Sequence, residues 1–154
     1  MSDTIGSDNP YSTDHRLVLR KLAGLVIPPS AEHNIPGADD DEIFARILAF
    51  AVPHASHVKT MLDTLGDRAV KRHDASFLEL DKDDQINLLK DSASTGLLEM
   101  LIHMTATCYY QDGRVLESID LKSTPPFPGG HEVDQGDWSL LDPVRAREPF
   151  YKKV

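Results

Sequence analysis

The chain has 154 residues, 40 % hydrophobic and 27 % charged, which fits one globular domain able to bury a sizeable core. Its formal net charge of -9 disfavours a nucleic-acid partner, whose phosphates need a basic face. No run approaches the roughly 18 apolar residues of a membrane span, and the one cysteine, Cys108, excludes an internal disulfide or a Cys-rich metal site.

In chain order, residues 1–12 read as a flexible polar tail with no secretory leader visible. The expected location is therefore cytoplasmic, or periplasmic if a partner carries the chain across. Thr13 or Asp14 can cap a first helix, in which Leu17, Val18, Leu22, Leu25 and Val26 recur with helical spacing. Pro28-Pro29 stops it. The acidic run at 39–42 suits the positive end of a second helix, with Ile43, Phe44, Ile47, Leu48 and Phe50 inward as far as Val52. Pro53 opens a third helix with an apolar stripe of Val58, Met61, Leu62, Leu65 and Ala69, and Lys71 and Arg72 suit its C-terminal end. Asp81 caps a fourth. The fifth, roughly 95–110, is the most apolar. Leu97, Leu98, Leu101, Ile102, Met104 and Cys108 cover most of its circumference, which predicts a central position with Cys108 buried.

Periodicity ends at Gln111. The expected fold is all-α: a body of about five helices over 13–110, followed by a long irregular Pro/Gly-rich arm over 111–154 that packs on a partner. The arm holds five of the ten prolines and the only tryptophan, Trp138. Phe127, Trp138, Leu140, Leu141, Val144 and Phe150 are spaced along it as apolar anchors. Its forty-four residues could reach on the order of 145 Å when extended, against a radius of gyration of about 13 Å for the body. So long an irregular segment is functional or borrowed by a partner. Within it, Asp142-Pro143 followed by Val-Arg-Ala-Arg reads as a turn entering a short helix.

Motifs for chemistry are scarce. G-x-S-x-G, G-x-G-x-x-G, H-E-x-x-H and C-x-x-C-H are all missing. His54 and His57 with Glu99 and His103 (i, i+4) form a conceivable metal set, giving an independent helical metal-binding protein as one alternative. His131, Glu132, Asp134, Asp137 and Asp142 form the dense polar cluster of the arm. They would serve a shared active site in another alternative, or simply make turns and caps.

The order of three segments resembles the small-subunit family typified by gluconate 2-dehydrogenase subunit 3. An apolar helix closes in Ile27-Pro28, Pro36-Gly37-Ala38 follows, and Phe77, Leu80, Gln85, Leu88 and Leu89 match the family's Phe–Leu–Gln–Leu-Leu pattern. Tyr109-Tyr110-Gln111-Asp112 is similar to the aromatic helix end before the family's glycine-containing loop. The resemblance implies a non-catalytic subunit with no catalytic, cofactor or metal residues of its own. Its partner would be a large FAD-dependent oxidoreductase of the glucose-methanol-choline type that oxidises a sugar or related alcohol, with FAD in that partner. A cytochrome c subunit or another acceptor would take the electrons. Many relatives begin with a twin-arginine leader, whereas Arg20-Lys21 here lies inside the first helix. The candidate partner-interface residues are Tyr109, Tyr110, Phe127, Trp138, Leu140, Leu141 and Phe150.

Overall fold

The computed structural model describes residues 9–92, 96–124, 127, 130 and 136–148. The chain is all-α, with no strand among the described residues beyond an isolated bridge between Ser30 and Ile35. It divides into two compact units, Met1–Ser123 and Thr124–Val154.

In the first unit, α1 (Thr13–Val26) is capped by Ser12, one residue before Thr13 and two before Asp14, the expected caps. Ser12 Oγ accepts from His15 N at 3.1 Å. The buried face is Leu19, Leu22 and Ala23, while Leu17, expected inside, is exposed. The helix ends when Ile27 turns extended ahead of Pro28, the conformation a following proline imposes. Helix α2 (Asp41–Ala51) is capped by Asp40, which accepts from Glu42 N and Ile43 N at 3.1 and 3.4 Å. Pro53 sits in a single 3-10 turn (Val52–His54) that leads into α3 (Ala55–His73). The expected stripe of α3 is buried residue for residue, together with Ala55. Asp74, left-handed at φ 53°, closes that helix.

A second 3-10 turn (Phe77–Glu79) buries Phe77, and α4 (Lys82–Asp91) follows with Asp81 Oδ1 accepting from Asp84 N at 2.8 Å. Helix α5 spans Leu97–Tyr109 and opens on Gly96, left-handed at φ 75°. It packs on α1 and α2, whereas α1 touches α2, α3 and α5 and is the hub of the unit. Of the α5 residues expected to be covered, Ile102 is exposed. The inner side of α5 carries Leu97, Leu101, Met104, Thr105, Cys108 and Tyr109, and its other side is open.

Two boundaries also differ from the sequence reading. Residues 9–12 are not a free tail: Tyr11 is buried, and its hydroxyl donates to Ala51 O at 2.7 Å. The body does not stop at residue 110, because α6 (Gly113–Ser118) follows and buries Val115. In the second unit a 3-10 turn (Trp138–Leu141) runs into α7 (Asp142–Arg145), the short helix expected after Asp142-Pro143.

Candidate partner-binding surface

The segments that carry the family resemblance meet in the first unit. Ala38 N donates to Ile27 O at 2.9 Å, which folds the Pro-Gly-Ala segment back onto the end of α1. Gly37 sits so close to Pro29 that a Cβ there would lie 2.9 Å from Pro29 N, so only glycine fits. Tyr109 donates from its hydroxyl to Pro36 O at 3.0 Å. Gln85, buried in α4, donates from Nε2 to Phe77 O at 2.9 Å, tying together two members of the Phe–Leu–Gln–Leu-Leu pattern. These residues build the scaffold. Tyr109 is thereby corrected from interface to core, and burial raises its phenol above the ordinary value.

Tyr110 behaves differently. It is 54 % exposed beyond the last turn of α5, with its ring 5.3 Å from that of Tyr109 in an edge-on arrangement. Ile102, expected inside, is 47 % exposed. Residues 102, 106 and 110 recur at i, i+4 and i+8, so Ile102, Ala106 and Tyr110 share one side of the helix. His103 lies beside Ile102, and its ring meets Phe50 of α2 edge-on at 6.2 Å between centroids. Phe50 was expected inward from the spacing of α2, and it is partly exposed with Val52 just beyond it. The outer side of α2 and α5 thus exposes Phe50, Ile102 and Tyr110 beside polar neighbours such as Glu99 and His103.

The second unit presents a comparable surface. Phe127, Trp138, Leu140, Leu141 and Val144 are all exposed, Trp138 at 63 %. Trp138, Leu141 and Val144 recur at intervals of three residues through the 3-10 turn and α7. That short element is locally braced. Asp137 accepts from Ser139 N at 3.0 Å and from Ser139 Oγ at 2.6 Å, and those bonds lower its carboxyl pKa. Arg145 pairs with Asp142 at 3.2 Å. Asp137 therefore caps the turn and Asp142 makes a local ion pair within α7. His131, Glu132, Asp134 and Phe150 lie outside the described residues.

Compared with known proteins, the chain matches no family model, no curated protein and no solved structure. The family reading rests on the order of the sequence motifs alone.

The conceivable metal set does not assemble: among the described residues no three His, Cys, Asp or Glu side chains are grouped to hold an ion. His54 and His103 instead flank the Phe50 ring, at 6.5 and 6.2 Å between centroids. A cleft of about 420 Å³ is lined by Arg68, Lys71, Arg72, Leu88 and Asp91. Arg72 pairs with Asp91 there, and Arg68 donates to Ser92 Oγ at 3.0 Å and to Asp91 O at 3.5 Å, so both cations attend the C-terminal end of α4. No helix among the described residues is long and apolar enough to cross a membrane.

Sequence reasoning named Tyr110 as an interface candidate but missed Phe50 and Ile102, because apolar residues at helical spacing were assigned to the core. Arg46, Asp112 and Arg114 were missed too. Asp112 is 2 % exposed and accepts from both arginines, with Arg114 Nε at 2.9 Å. Hydrogen bonds from Arg114 are the main reason its carboxyl sits at about 2. An aspartate just before a short apolar pair is a legible cap signal for Asp112; nothing in the sequence pairs it with Arg46.

Proposed function

We propose that this chain is a non-catalytic small subunit. It stabilises and assembles with a large FAD-dependent sugar or alcohol dehydrogenase of the glucose-methanol-choline type. The observation that carries the assembly role is the open apolar side of α5. Ile102 and Tyr110 are exposed on the helix richest in apolar residues, and Phe50 of α2 is exposed against His103 of the same helix. Buried aromatic anchors dominate interface energies, and Tyr110 and Trp138 are the strongest of that kind here. An obligate contact of this sort buries more than roughly 2,000 Å² in total. The identity of the partner rests on the sequence resemblance.

In this reading the chain itself holds no cofactor. FAD and the oxidation chemistry belong to the large subunit, and a cytochrome c subunit or another acceptor removes the electrons. The small chain supplies apolar surface that the large subunit lacks alone. Expressing the large subunit with and without this chain, and measuring soluble FAD-loaded protein, tests the proposal. A several-fold higher yield with the small chain is expected. Equal yield and equal thermal stability in both cases overturn it.

A further inference from the structure

Helix α6 is only six residues long and buries a single side chain, Val115. A helix of that length does not hold itself together in water. Its ordering therefore has to come from outside the helix, and the charge cluster at its first turn supplies it. Asp112 caps α6 by accepting from Arg114 N at 3.0 Å. The same carboxylate receives the guanidinium of Arg46 from α2 and two further bonds from Arg114, at 2.9 and 3.0 Å. Arg114 then reaches Asp40, the cap of α2, at 2.7 Å, with Glu42 3.8 Å away. One arginine thus bridges the caps of two helices.

The far end of α6 brings the chain back to the same place. Ile119 N and Leu121 N donate to Leu116 O at 3.2 and 2.9 Å, with Asp120 left-handed at φ 59°. Ser123 Oγ donates to Glu117 Oε1 at 3.2 Å, and a Cβ on Gly113 would lie 3.3 Å from Ser123 Cβ. Ser123 is the last residue of the first unit. The chain therefore leaves the helical unit from a point folded against the capped first turn of α6.

We infer that Asp112 is a positioning residue: with Arg46, Arg114 and Asp40 it pins the root from which the C-terminal unit departs. A buried carboxylate with three cationic contacts is held strongly, whereas the remainder of α6 contributes little packing. Loss of the pin should release residues 113–123 while α1 to α5 keep their own core. The bearing of this on partner assembly rests on the function proposed above; the pin itself does not.

Hydrogen exchange on the free full-length chain tests it, with Asp112→Asn and Arg114→Gln as separate variants. Amides of 114–121 are expected to exchange at least about tenfold faster in both, while α1, α3 and α5 keep their rates. Unchanged protection of 114–121 in both variants overturns the inference. So does a uniform loss across all helices, which would make Asp112 an ordinary core requirement. If Asp112→Asn cannot be purified folded, Arg114→Gln, whose side chain is half exposed, is decisive alone. Binding to the flavoprotein is scored separately: local release in a chain that never binds it supports the pin and defeats the partner reading.

Discussion

Asp112 and Tyr11 show how single polar groups hold this body where apolar area is thin. Asp112 is almost fully buried and stays ionised because Arg114 and Arg46 donate to it, which keeps its carboxyl at about 2. Its folded pKa lies below that of an unfolded aspartate, so the unfolded chain takes up the proton first as pH falls. Its contribution to stability is therefore complete above the ordinary aspartate value and is lost between about pH 4 and about pH 2. Asp40, lowered by the same arginine, acts in the same direction. Urea unfolding midpoints should fall across that window, and Asp112→Asn should flatten the fall; parallel curves for the two proteins would refute the assignment. Tyr11 donates from a buried hydroxyl to Ala51 O. Tyr11→Phe removes that buried hydrogen bond and should cost about 0.5–1.5 kcal/mol, while Tyr11→Ala should cost about 3–5 kcal/mol. A change within the error of chemical denaturation for both would mean that residues 9–12 are no part of the fold.

At the scale of elements, helix starts and stops follow local rules visible in the sequence. Asp40 and Asp81 cap α2 and α4, Pro53 sits in the turn before α3, and Pro28 ends α1. The stripe of α3 was legible because its polar residues are frequent enough to fix one face. In α5 they are not, and apolar count alone could not say which side packs on α1 and α2. Leu17 shows the same ambiguity in α1, where the buried face is rotated onto Leu19 and Ala23. Helix α6 escaped because its order depends on Arg46, distant in sequence, rather than on its own period. Two glycines separate backbone economy from packing. A methyl group added at Gly66, in α3, would meet no heavy atom within 4 Å, so Gly66→Ala should stabilise by about 0.5–1 kcal/mol. Gly37→Ala would press on Pro29 and should cost about 1–3 kcal/mol. Thermal melts of the two variants should move in opposite directions; shifts of the same sign would count against the packing described for the Pro-Gly-Ala turn.

For the whole molecule, the distribution of apolar residues matters more than their number. The first unit completes a core around α1 and still leaves Ile102, Tyr110 and Phe50 outside. The second unit exposes Trp138, Leu140 and Val144 on a braced turn and short helix. Such surface is costly in water unless something covers it. The proposed partner class, the FAD proposed for it and the proposal that this chain holds no cofactor rest on motif order in the sequence alone. Exposed Ile102 and Phe50 extend, beside Tyr110, the candidate contact surface that the motifs named. Hydrogen exchange of the chain alone and after adding the large flavoprotein tests this most directly. Slower exchange is expected across 102–110 and 138–145, with the solvent face of α3 unaltered. Identical exchange in the two samples, or protection confined to α3, would contradict the account.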